Sequence, residues 1–362
     1  MSVVTLVMLA FSVLGALDYI LGSRFGLGKE FERGLMLMGT MSMTMIGMLV
    51  LAPVLADLMR PALQAMARVL PFDPSIVPAS LFANDMGGAP LSVEVAQDPA
   101  VGAFNAMVVS SMMGCTVSFT IPFALGGIEK RLHRQVLIGL LCGIVTIPVG
   151  SFVAGIVAGL PLGALCMNLI PLTLFSSLIA FGLFKVPDLC VKIFRWFGLF
   201  IKALITVGLM IGIITFLTKK EILPGADSLE NAAMVVVNAA AVMTGAFPLM
   251  LVFSRLLKKP LMLLGDRLKI NSTSAAGLFS TLASSMITFP MLPEMDSKGV
   301  VLNSAFAVSA AFTFAGHLAY TMAFDDSYLL SMIVGKLVAG LFAVLLALPI
   351  YRRVFDKKTE EV

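Results

Sequence analysis

Phe82-Ala83-Asn84-Asp85-Met86-Gly87-Gly88-Ala89-Pro90 is the stretch that decides how this chain is read. An amide and a carboxylate follow an apolar run and precede two glycines and a proline. Glycine permits an unwound backbone and close approach of a neighbour, and proline cannot continue a hydrogen-bonded helix. In the second half, Ser284-Ser285-Met286 stands before Pro290 in the same way. The flanks repeat too. Pro61 pairs with Pro260, Pro90 with Pro290, Asp98 with Asp296 and Asn105 with Asn303, so the offset stays between 198 and 200 residues. Two apolar halves with the same proline-interrupted segment are the signature of an inverted-repeat transporter, and the breaks then mark the substrate site.

Composition agrees. The chain is 59% hydrophobic and 13% charged, with a mean hydropathy of +1.00. A soluble core does not need so much apolar surface, and runs long enough to cross a bilayer recur. The fold expected is an all-α polytopic membrane protein of about nine transmembrane helices: 3–21, 34–56, 101–126, 134–157, 160–184, 197–217, 232–254, 300–322 and 328–350. Repeat 1 occupies 1–158, a linker helix 159–190, inverted repeat 2 191–351, and a cytoplasmic tail 352–362. Each repeat has four spans and one re-entrant segment, near 75–95 and 274–293. Such broken backbone is tolerated at membrane depth only where protein or water satisfies it. Arg60–Leu70 and Lys258–Ile270 read as interfacial amphipathic helices ahead of the two segments.

Basic residues set the orientation. With the N-terminus outside and the C-terminus inside, 19 Lys and Arg fall on the cytoplasmic side. Four (Arg60, Arg68, Lys219, Lys220) fall outside, and Lys202 and Lys336 lie within spans. The net charge of +4 is therefore an orientation signal, and nucleic acid is not an expected partner. The first span lacks the flanks of a removable signal peptide. Cys115, Cys142, Cys166 and Cys190 have no metal-ligand spacing. Neither GxxxxGK[ST] nor HExxH occurs, so no metal or cofactor is expected and ATP-driven transport by this chain alone is excluded. Scattered acids also disfavour an enzyme acting on lipid head groups, and a non-transporting scaffold would have no need of paired breaks.

Few residues are left to carry chemistry. An ion at membrane depth is functional by default, so Asp85, flanked by Asn84 and Met86, suits a small organic cation. It could instead cap a half-helix or pair with Lys336. Ser284 and Ser285 supply hydroxyls at the mirrored position, or only tight packing. Asn105 and Asn303 need partners in hydrocarbon and either line the site or bridge the two tips, which are expected to meet near the midplane. His317 could relay a proton or be a satisfied core histidine. Lys336 lies too deep to snorkel, so an intramembrane ion pair with Asp85 or Asp18 is expected.

At these residues the chain resembles the ethanolamine-utilisation permeases, EutH. The matching stretches run through Phe31-Glu32-Arg33-Gly34, Leu51-Ala52-Pro53-Val54-Leu55, Asp85-Met86-Gly87-Gly88, Ser111-Met112-Met113-Gly114, Ile121-Pro122 and Gly143-Ile144-Val145-Thr146-Ile147-Pro148. They continue through Asn303 to Ala311, His317-Leu318 and Ile333-Val334-Gly335-Lys336-Leu337. The resemblance implies import of ethanolamine across the bacterial inner membrane, by alternating access or facilitated diffusion. Another small amine or polar solute, with proton or ion coupling, is the alternative. A homo-oligomer in the lipid bilayer is expected for such folds.

The orientation is testable. In a cysteine-free background, a membrane-impermeant thiol reagent added outside should label Ser2→Cys and spare Thr359→Cys. Labelling of Thr359→Cys alone would reverse the topology.

Overall fold

The computed structural model describes residues 3–69, 72–256 and 258–355, and among them every regular element is helical. Helix α1 is Val3–Ile20 and α2 is Leu27–Val69. The first hairpin follows as α3 (Ile76–Leu81) and α4 (Gly88–Val95). One continuous span then runs from α5 (Pro99–Phe104) through two π-helical stretches, Asn105–Gly114 and Thr116–Thr120, into α6 (Ile121–Gly127). Next come α7 (His133–Val157), α8 (Leu162–Lys185), α9 (Pro187–Thr218), α10 (Leu229–Leu256) and α11 (Lys258–Leu268). The second hairpin is α12 (Ser272–Ala283) and α13 (Ser285–Met291), followed by α14 (Ser297–Ala310), α15 (Gly316–Phe324) and α16 (Leu329–Phe355). Residues 356–362 of the expected tail, and Leu70 of the expected surface helix, lie outside the described residues.

Among the described residues, eight helices are long and apolar enough to cross a bilayer. The difference from nine lies at 300–322. There the chain forms two helices, because residues 311–315 turn and Phe312 takes a left-handed conformation, φ 63°. The turn is held from outside. Phe312 N donates to Thr281 O (3.2 Å) and Phe314 N to Leu282 O (3.0 Å) at the end of α12. The broken pair still joins opposite ends of the bundle. At its start Lys298 Nζ donates to Leu268 O (2.5 Å), and just past its end Tyr328 Oη donates to Ala100 O (2.9 Å), where the π-helical span begins.

A second correction concerns 60–70. It is no separate surface helix: α2 runs unbroken for 43 residues through Pro53 and Pro61, about 65 Å at 1.5 Å per residue. Lys258–Leu268, by contrast, is a short helix of its own.

Both hairpins are closed at the base, by residues spaced 198 apart. Asp73 accepts from Gln97 N (3.0 Å) and Asp98 N (2.8 Å), while Asp98 caps α5 through Ala100 N and Val101 N. In the second hairpin Asn271 N donates to Asp296 (2.9 Å) and Asn271 Nδ2 to Glu294 O (2.9 Å). Asp296 caps α14 through Gly299 N. Each hairpin therefore enters and leaves at one place, the geometry of a re-entrant segment. The span from Pro99 is the most enclosed, 83% buried against 17% for α1 and 22% for α9. Helices α1, α8 and α9 present Leu6, Leu174, Phe181 and Trp196 outward, as lipid-facing helices do.

Removing the clamp should loosen the hairpin. Asp73→Ala strands the N–H groups of Ser75, Gln97 and Asp98, a loss of about 1–3 kcal/mol. Thermal unfolding in detergent should fall measurably for Asp73→Ala and for Asp296→Ala. An unchanged midpoint would show that the bases do not hold the hairpins.

Candidate functional site

The break in the first hairpin is six residues wide. Phe82 is extended, Asn84–Met86 form a single 3₁₀ turn, and Gly87 sits at φ 102°, a conformation that only glycine adopts freely. The break lies directly on the π-helical span. Ala83 N donates to Ser118 Oγ (3.1 Å). A Cβ on Gly114 would stand 1.9 Å from Phe82 O, so glycine is required for that approach. The turn also packs against α2 and α15.

The walls of this break hold unused hydrogen-bonding capacity. Asn84 is fully buried, and neither its Oδ1 nor its Nδ2 has a partner among the described residues. On α15, Tyr320 Oη and Thr321 Oγ1 are buried and likewise unpartnered. Each orphaned group costs about 1–3 kcal/mol, so these groups await something polar. Asp85, next to Asn84 on the turn, is half-buried and within electrostatic reach of Tyr320 and Lys336. Met86 packs with the cluster around Met48, Phe82 and Leu91.

Lys336 departs from expectation. It is 1% exposed, and its Nζ donates to Ser111 O (2.7 Å) and contacts His317 Nδ1 at 3.0 Å. The ion pairs among the described residues, taken to 4.0 Å, are Arg33–Glu30, Arg60–Asp57 and Arg131–Glu129, all near the surface. The expected contact pair of Lys336 with Asp85 or Asp18 is thus absent. A main-chain carbonyl and an imidazole take the lysine's donors, and Asp85 stays on its own turn. Asp18 is spent on a loop, accepting from Phe25 N (3.0 Å) and Gly28 N (2.8 Å). With Lys336 as the ammonium, which has no lone pair, the imidazole must be neutral with its proton on Nε2.

The remaining residues are dispersed. Ser284 caps α13 by accepting from Met286 N (3.1 Å), whereas Ser285 Oγ is buried without a partner among the described residues. The asparagines sit at the hairpin bases. Asn105 Nδ2 donates to Ser75 Oγ (2.8 Å), and Asn105 exchanges hydrogen bonds with Asn168. Asn303 Nδ2 donates to Ser274 O and Gly299 O (both 2.9 Å). Both tips touch the span that runs from Pro99 to Gly127. Ser118 takes the first tip, and Phe123 stacks near Phe289 of the second (5.8 Å). Phe119 meets Phe312 (5.7 Å), which meets His317 (5.2 Å).

A model of the family described as "Ethanolamine utilisation protein, EutH" matches residues 1–350 of this chain. The chain belongs to the EutH family. A Listeria monocytogenes protein named "Probable ethanolamine permease EutH" is 41% identical over 355 residues, 98% of this chain and 95% of that protein. Proteins of that name from Escherichia coli and Salmonella typhimurium are 37% and 36% identical over 380 residues, each covering 94% of this chain and 93% of theirs. No solved structure matches. Membership in EutH and the apolar helices make this a multi-pass membrane protein of permease type. Sequence reading missed Tyr320, Thr321 and Asn168; their only signal is a polar group inside an apolar run.

The tautomer of His317 is measurable. Solid-state ¹⁵N spectra should show an unprotonated Nδ1 and a protonated Nε2. A protonated Nδ1 would mean that Lys336 is the neutral partner.

Proposed function

We propose that this EutH protein imports a small amino alcohol, ethanolamine first among candidates, across the bacterial inner membrane, with the N-terminus outside. The observation that carries this reading is the Asn84–Met86 turn. A half-buried carboxylate follows a buried amide that lacks partners, and it lies within electrostatic reach of the buried, unpartnered hydroxyl of Tyr320. Asp85 accepts the substrate's ammonium in a charge-assisted hydrogen bond. Asn84, Tyr320 and Thr321 exchange hydrogen bonds with its hydroxyl, and Ser285 lines the path from the second hairpin. Asn105, Asn303 and Ser284 keep the hairpins in shape, and Met86 supplies an apolar wall.

Alternating access fits two hairpins that both touch the span from Pro99 to Gly127. A cavity of about 200 Å³ at the second hairpin, lined by Glu30, Arg33, Phe247, Ser280, Ala283 and Ile287, serves as a vestibule on the side that the basic-residue count makes cytoplasmic. The names of the relatives and the absence of a nucleophile–base pair at the turn favour transport over catalysis.

Asp85→Asn should weaken ethanolamine binding about 10- to 100-fold, the worth of a charge-assisted hydrogen bond of roughly 1.5–3 kcal/mol. The variant should still insert and fold. Asn84→Ala and Tyr320→Phe should cost less for ethanolamine and nothing for ethylamine, which lacks the hydroxyl. Binding measured on purified protein decides this, and an unaltered affinity in Asp85→Asn would remove Asp85 from the site.

A further inference from the structure

Lys336 and Asp85 are two opposite charges that share a low-dielectric interior without touching. Lys336 Nζ is anchored to Ser111 O and His317 Nδ1. Asp85 lies within electrostatic reach, beyond ion-pair distance. The groups facing Lys336 from the elements packed on α16 can be named. They are His317 on α15, Cys115 between the π-helical stretches, and Asp85 on the 3₁₀ turn; the turn Asp326–Tyr328, which also packs on α16, carries the exposed Asp326 at the start of that helix. On α7, Cys142 packs toward Ala343 and Ala347 of α16. His133 and Arg134 on α7, and Lys298 on α14, stand at the starts of their helices. Among the described residues, Asp85 is the carboxylate that interacts with Lys336, and Lys336 the cation that interacts with Asp85.

Adding an ammonium to that interior breaks the balance. The empty site sums to zero, one positive and one negative charge. With a cationic amine on Asp85 the sum becomes +1, and an uncompensated charge in such surroundings is costly. One group can lose a charge without leaving its place. Lys336 passes a proton from Nζ to His317 Nδ1, and the imidazolium gives its Nε2 proton to bulk water on the side from which the amine enters, which leaves the ring neutral with its proton on Nδ1. A neutral amine then remains on Lys336 and the sum returns to zero. The neutral, Nε2-protonated imidazole described above is the form that can pass a proton in this way.

Resting on the substrate reading above, we infer that the Lys336–His317 pair is a proton-exchange site. Binding of one cationic amine at Asp85 displaces one proton from Lys336, and the proton is regained when the amine leaves. A cation enters and a proton returns, so the cycle moves no net charge, and the net species carried is the neutral amine.

Purified protein and proteoliposomes test this. In weak buffer with a pH dye, ethanolamine binding to the wild type should release about one proton per site. Affinity should rise about tenfold per pH unit while Lys336 is protonated in the empty protein and the amine remains cationic, as linkage of one proton requires. Uptake should ignore an imposed potential and answer to a pH gradient. Lys336→Gln should bind without proton release and with no pH slope. Its uptake should become potential-driven, up to about fiftyfold accumulation at about −100 mV. Wild-type uptake driven by potential, or proton release persisting in Lys336→Gln, would overturn the inference. If Lys336→Gln does not fold, proton release and potential response in the wild type decide alone. Failure of ethanolamine to bind at all would instead overturn the substrate reading.

Discussion

Everything in this protein depends on satisfying backbone that is broken inside a membrane. Hydrocarbon offers no hydrogen bonds, so each interrupted helix needs donors and acceptors from its neighbours. The first hairpin takes them from Asp73 at its base and Ser118 at its tip. The second takes them from Asp296 at its base. The turn at 311–315 borrows the last carbonyls of α12. These ties place two breaks and one kinked helix around a single span.

That span is itself irregular, which explains how it serves so many neighbours. A π-helical stretch bonds i to i+5 and leaves carbonyls turned away from the helix axis, a geometry that recurs at functional sites. Ser111 O is one of these, and it receives Lys336. Gly114, a turn later, lets the Phe82 carbonyl lie against the helix. The same few residues therefore fix the carboxylate's turn and the buried cation.

The division of labour among polar residues follows from their partners. Asn105 and Asn303 have spent their amide donors on hairpin bases, and Ser284 its hydroxyl on a helix cap. Asn84, Ser285, Tyr320 and Thr321 have not, nor have Ser151, Ser304, Ser309 and the Oδ1 acceptor of Asn303, among the described residues. A buried polar group left without a partner is destabilising, and its retention is understandable where a polar ligand supplies the missing bond.

The amino-acid sequence by itself determined the membrane class, the interruption of both segments and the family. Hydropathy over 20 residues, glycine next to proline, and acids recurring at an offset of 198 are local or periodic signals that survive without coordinates. It also marked Asp85, because a lone acid before Gly87-Gly88 has no local partner. Only the tertiary structure decided which polar side chains are already satisfied. Nothing in Asn105 or Asn303 announces that their partners lie in the hairpin bases, and nothing in Lys336 announces a carbonyl 225 residues away. The break at 311–315 was equally hidden. Ala311-Phe312-Thr313-Phe314-Ala315 contains neither proline nor glycine, and it turns because α12 offers Thr281 and Leu282 carbonyls that compensate the lost helix bonds. Hydrogen bonds between distant segments follow from packing, and packing is not written in local spacing.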